Sequence, residues 1–223
     1  MPTLTRRNDV FVLGLGDNEN RFHPDWITSV NTALNEVEQS AGARALVTVA
    51  EGKFFSNGLD LDWLFANANK RREYLNSVHH LFARILSLPL ITVAAVQGHA
   101  FAAGAMLSLA HDVRVMRVDR GFWCLPEVKL GLPFTPGMLA LIQARLSPQT
   151  AHEAMTTARR YGGSEALAAA IVDRAVPESD VQDIATEIAA CQASNAGDVL
   201  KSIKIGLYTM ALERLQTMEN LQG

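Results

Sequence analysis

Cysteine is nearly missing from this chain. Two residues in 223, Cys124 and Cys191, lie too far apart for a disulfide framework or a paired metal site, and free thiols suit a reducing compartment. Aromatics amount to 7%, and neither sign of charge dominates: twenty basic residues against twenty-three acidic ones leave −3. No basic block is long enough to track phosphates, so nucleic acid is not an expected partner. Arg6 and Arg7 are followed by only a short apolar run, unlike a secretory leader. The ending Leu221-Gln222-Gly223 is not a peroxisomal address, and the cytoplasm is the expected location. Long hydrophobic runs are lacking too. The one contender, residues 91–110, carries Gln97, Gly98, His99 and Gly104 in its middle, which hydrocarbon would not tolerate, so no membrane association is expected.

What remains is an ordinary globular composition, 48% hydrophobic with 15 glycines and 8 prolines. A chain of 24.3 kDa buries roughly 70% of its unfolded surface on folding, enough for one large domain without a metal or staple. Residues 10–15, 45–49, 91–96 and 113–118 read as strands, and the β-branched run Ile91–Val96 is of the kind buried on both faces. Pro24 opens an amphipathic helix to Gln39, another helix begins near Asp60, and a small-residue helix spans 103–110. From Phe134 onward the pattern turns helical: 149–159, 164–170, 180–193 and 199–218. The fold class is α/β, with an α-helical C-terminal region continuous with the core.

Several chemical signatures fail. Gly14-Leu15-Gly16 lacks the third glycine of a dinucleotide loop, because position 19 is Glu; there is no Gly-x-Ser-x-Gly elbow and no His-Glu-x-x-His zinc motif. His79 and His80 are adjacent, point to different helix faces and read as a solvated pair. No metal site is expected.

Three stretches stand out together: Gly52-Lys53-Phe54-Phe55-Ser56-Asn57-Gly58-Leu59-Asp60, then Gly98-His99-Ala100-Phe101-Ala102-Ala103-Gly104-Ala105-Met106, then Leu125-Pro126-Glu127-Val128-Lys129-Leu130-Gly131. Each follows a strand, and the first two open helices, where backbone N–H groups without internal partners suit a developing anion. Spacing alone favours the plainer reading of two tightly packed strand-to-helix turns. In this order and separation the three resemble the enoyl-CoA hydratase/isomerase (crotonase) superfamily over residues 10–176. The resemblance is strongest to the enoyl-CoA delta isomerase branch, in the Phe-Phe-Ser-Asn-Gly loop and in Arg117-Val118-Asp119-Arg120-Gly121.

The resemblance implies a crotonase-like spiral of repeated β-β-α units over 1–170. It also implies a helical region at 171–223 serving oligomerisation and pocket cover, in a homotrimer or dimer of trimers. Leu200, Ile203, Leu207, Met210, Ala211, Leu215 and Met218 form an apolar stripe for such an interface or for the chain's own core. The implied oxyanion hole is the pair of main-chain amides of Leu59 and Ala103. Lys53, Ser56, Asn57 and Gly58 would meet coenzyme A, which enters as part of the acyl-CoA substrate and not as a prosthetic group; Lys53 also reads as a solvated charge. Hydratases of the family use two glutamates. Here the first position is Met106 and the second is Glu127, so hydration should be weak or absent, whereas one carboxylate suffices to shift a double bond from C3 to C2. Glu127 is the expected base, with apolar neighbours that would raise its pKa, though beside Lys129 it also reads as a surface residue. Met106, Trp123 and Phe134 are the expected acyl-pocket residues, though Trp123 and Phe134 read equally well as core. Asp60 reads as a helix cap, Asp112 and His99 as structural, and His111 as a partner of a helix dipole. Another crotonase-type reaction, such as thioester hydrolysis or lyase chemistry, and non-catalytic acyl-CoA binding are the alternatives.

Overall fold

The computed structural model describes residues 1–217. Four parallel strands, β2 (Val10–Gly14), β3 (Ala45–Val49), β5 (Ile91–Val96) and β7 (Val113–Arg117), form the centre of a six-stranded sheet. Their sequences read as unbroken apolar runs because both faces are covered. Phe11, Leu13, Leu46, Ala94, Val96 and Met116 join one core cluster, while the alternating Val10, Val12, Val47, Val93, Ala95 and Val115 join a second. The edges are β1 (Thr3–Arg7), antiparallel to β2, and β9 (Arg174–Val176), parallel to β7. The mostly exposed Thr-Leu-Thr-Arg-Arg of β1 carries no burial pattern, and Asn8 turns the chain at φ 54°.

After β3, β5 and β7 the chain crosses to a second, three-stranded parallel sheet made of β4 (Phe54–Ser56), β6 (His99–Phe101) and β8 (Trp123–Cys124). It then enters a helix: α2 (Leu61–Ala66) and α3 (Arg71–Leu86), α4 (Ala103–Ala110), and α5 (Glu127–Leu130) respectively. Each β-β-α turn thus ends a short strand at the same place, so three strand-to-helix loops converge. The amphipathic α1 (Pro24–Gln39), with Pro24 in its first turn, packs Phe22 and Trp26 in a stacked pair at 4.9 Å.

Beyond residue 171 the chain stays in contact with the core. β9 extends the main sheet, and α9 (Glu178–Gln192) lays Val181, Ala185 and Ala189 on the second core cluster. Between α5 and β9 run α6 (Pro136–Arg145), α7 (Pro148–Thr157) and α8 (Gly163–Ala168). The helix expected over 199–218 is two, α10 (Asp198–Leu207) and α11 (Thr209–Gln216), broken at Tyr208. The apolar stripe divides accordingly: Ala211 and Leu215 are buried, Leu200 is half-buried, and Ile203, Leu207 and Met210 are exposed. Met218 lies outside the described residues.

Two buried polar clusters hold these layers. His111 Nδ1 meets the Leu107 carbonyl at 2.8 Å and Nε2 meets Thr48 Oγ1 at 2.8 Å. Burial pushes its pKa down to about 4, so it stands neutral rather than as the cation a helix dipole would favour. The Lys204 ammonium, 3% exposed, donates to Asp112 Oδ2 at 2.8 Å and to the Leu90 carbonyl at 3.2 Å, while Asp112 also accepts from the Thr92 amide and hydroxyl. Asp112→Ala would strand that ammonium. It should cost about 3–5 kcal/mol in urea unfolding, with Lys204→Met in the same chain recovering part of the loss.

Candidate active site

The first converging loop is clamped from residues 19–22. Ser56 Oγ donates to the Asn20 carbonyl at 2.8 Å and accepts from the Gly58 amide at 3.1 Å, while the Asn57 and Phe22 amides bond the Glu19 and Gly58 carbonyls at 2.8 Å. Asp60 caps α2 through the Trp63 amide at 3.1 Å, as expected, and its own amide donates to the Tyr74 hydroxyl. This rigid loop lies main chain to main chain on the start of α4. A Cβ on Gly58, where φ is +84°, would fall 2.8 Å from the Ala103 nitrogen, and one on Gly104 would fall 2.2 Å from the Ser56 carbonyl oxygen. Glycine is required at both. Ala102, which caps α4 at φ 50° and ψ −125°, holds a conformation that costs an L residue about 1–3 kcal/mol. Among the described residues, the amides of Leu59 and Ala103 donate to no protein acceptor.

The third loop delivers the carboxylate. Behind β8, Leu125 and Pro126 lead into the single turn of α5, which Gly131 closes in the left-handed region. Glu127 is its first residue and is only 7% exposed. Its Oε2 has no hydrogen-bond partner, and burial pushes its pKa up to about 7. A cavity of about 540 Å³ joins the pieces: Leu59, Ala103 and Glu127 all line it, together with Asn57, Met106 and Phe134. The other carboxylate on its wall, Asp62, is exposed and bound to Arg21 at 2.6 Å. The cavity therefore presents one buried carboxylate, two unengaged amides and otherwise largely apolar walls, a setting that can move a proton and stabilise an oxyanion.

Some expected contributors lie elsewhere. Trp123 is fully buried on the core side, with its indole N–H on Ser108 Oγ at 3.1 Å and its ring against Tyr161, because β8 turns it away from the cavity. Ser56 is also fully buried and is spent in holding the loop, so it cannot meet a ligand. Lys53 is exposed, 5.2 Å from the Phe54 ring centroid and outside the cavity lining. Gly58 acts by lacking a side chain. His79 is not solvated: it is buried, with Nε2 2.7 Å from Thr135 Oγ1. His99 is structural, packed against Phe101 and Phe122 and accepting from the Phe122 amide. Arg71, Leu75, Thr135 and Met138 line the cavity without having been expected. The four-residue spacing of Arg71 and Leu75 on α3 was the available signal for that wall. No helix of residues 171–217 supplies a lining residue.

The model of the enoyl-CoA hydratase/isomerase family matches residues 5–222. The chain belongs to this family. An Arabidopsis thaliana relative named enoyl-CoA delta isomerase 2, peroxisomal, is 37% identical over 221 residues, covering 93% of this chain and 92% of its own. A putative enoyl-CoA hydratase of Thermus thermophilus is 33% identical over 227 residues, covering 96% and 88%. The solved structure of a probable enoyl-CoA hydratase from Mycobacterium tuberculosis superposes with a TM-score of 0.90 at 27% identity, covering 96% and 91%. Family membership and the crotonase-type fold follow, and with them an enoyl-CoA isomerase or hydratase type of activity. Both activity names occur among these relatives, so the choice between them rests on the site. No helix among the described residues is long and apolar enough to cross a membrane.

Proposed function

We propose that this chain moves a double bond from C3 to C2 of an enoyl-CoA thioester. The observation that carries the reading is the single buried carboxylate, Glu127, in one cavity with the Leu59 and Ala103 amides, while Met106 occupies the wall where a second acid would be needed. Ionised Glu127 takes the proton from C2, and the C–H electron pair moves into a dienolate whose negative oxygen lies against the two amides. The protonated Glu127 then returns the proton to C4, and the C2–C3 double bond remains. C2 and C4 are only roughly 2.5 Å apart, so one carboxyl with a reach of about 3 Å serves both. Each preorganised amide is worth roughly 3–4 kcal/mol to such an oxyanion. Hydration needs a further group to activate water, and a thioether is neither acid nor base. Coenzyme A enters with the substrate, and the reaction asks for no prosthetic group.

The test is incubation with a 3-enoyl-CoA, following conjugated thioester by absorbance and free thiol by a colour reagent. Conjugation without thiol release supports isomerisation; thiol release favours a hydrolase. Glu127→Gln should lose at least a hundredfold in kcat while retaining acyl-CoA affinity. If that variant changes nothing measurable, the fold serves acyl-CoA binding without catalysis.

A further inference from the structure

A polar pair that the proposed proton transfer does not use reaches the cavity through one of its members, Thr135. Arg71, Leu75 and His79 follow one another at four-residue steps along one line of α3; the first two line the cavity, and the third meets Thr135, which lines it too. His79 and Thr135 are 6% and 7% exposed. Their nearby lining residues Leu75, Phe134 and Met138 are apolar, so a histidine and a threonine among them carry a desolvation cost that leucine and valine would not.

The hydrogen bonds decide which way the pair faces. Thr135 Oγ1 accepts from the Met138 amide at 3.2 Å, as the cap of α6, and lies 2.7 Å from His79 Nε2. His79 Nδ1 is buried without a partner. Burial pushes the His79 pKa down to about 4, so at neutral pH the ring carries one proton. If that proton were on Nδ1 it would be an orphaned buried N–H, a rarer and costlier arrangement than an orphaned lone pair. The network therefore assigns the proton to Nε2, donating to Thr135 Oγ1. Thr135 Oγ1 then accepts twice, and its own hydroxyl hydrogen is left without an acceptor at the cavity wall.

We infer that Thr135, oriented by His79, is a specificity residue that donates a hydrogen bond to an oxygen on the acyl chain, so that the site selects oxygenated acyl-CoA thioesters over plain hydrocarbon ones. The inference rests on the acyl-CoA reading of the cavity. It requires an oxygen at the distance from the thioester that reaches Thr135, and chains with none leave the hydroxyl unpaired, which is the stronger form of discrimination.

Binding of saturated acyl-CoAs tests this without turnover. Calorimetric titration of a series of increasing chain length, each with and without a terminal hydroxyl, should show one length at which the hydroxylated ligand binds about tenfold more tightly. That preference should vanish in Thr135→Val and survive in Thr135→Ser, which keeps both cap and donor. The ¹⁵N shifts of His79 should report protonation at Nε2. No preference at any length, or a proton on Nδ1, overturns the inference and leaves the isomerase reading standing. Failure of every acyl-CoA to bind overturns both. A Thr135→Val that does not fold leaves the wild-type length series and the ¹⁵N shifts to decide.

Discussion

Glu127→Gln should be inactive and yet harder to melt than the wild type at pH 8. Burial holds the Glu127 carboxyl at about 7 against an ordinary 4.5, so the fold favours its neutral form. A group whose folded pKa is raised lends its stability fully below the unfolded pKa and loses it as pH rises through the folded one. The window is therefore pH 4.5 to 7. Above it the ionised, unpaired carboxylate costs up to about 3 kcal/mol, at 1.36 kcal/mol per unit of pKa. Glutamine carries no charge, though its amide keeps some desolvation cost, so a gain of about 1–3 kcal/mol is expected at pH 8, or roughly 3–10 °C for a chain of this size. Near pH 4.5 the two proteins should melt together. The same titration governs rate: the base must be ionised, so kcat/KM should fall about tenfold per pH unit below 7 and level off above it. A melting difference that does not grow between pH 5 and 8 would show that Glu127 is not held in apolar surroundings.

Gly58→Ala should lose roughly 10²–10³ in kcat. Its methyl would come within 2.8 Å of the Ala103 nitrogen and 3.2 Å of the Gly104 nitrogen, prying the loop carrying Leu59 away from α4 and covering the amide that would face an oxyanion. Overpacking and the positive φ together should also cost about 2–4 kcal/mol. Gly42 separates the two effects. It shares the positive φ, at +81°, but a Cβ there meets nothing within 4 Å. Gly42→Ala should therefore lose only about 1 kcal/mol and keep full kcat. Equal rates in both variants would remove the close approach of Gly58 and Ala103 from the mechanism.

The limits of reading the chain follow from what each residue touches. Ala45–Val49 and Ile91–Val96 were legible because strands covered on both faces are written as continuous apolar runs, and Pro24 marked its helix by supplying a first turn that needs no N–H. The two- and three-residue strands β4, β6 and β8 were invisible, since each exists only through pairing with segments at least twenty residues away. They are also what brings the three loops together, so the site itself was legible only through its motifs. Trp123 and Phe134 look alike as apolar aromatics, but β8 turns one into the core while the other borders the cavity. His79 and His80 do occupy different helix faces; nothing local says that one of those faces is buried.

The ammonium of Lys204 fastens the last stretch of helices to the inner strands at Thr92 and Asp112. Among the described residues a protease consequently finds no C-terminal helix that peels away by itself, because releasing α10 would strip the largely buried Asp112 carboxylate of its counter-charge. Cleavage between Asp198 and Leu207 should track global unfolding instead of fraying, which makes the C-terminal arm a reporter of the whole molecule's cooperativity.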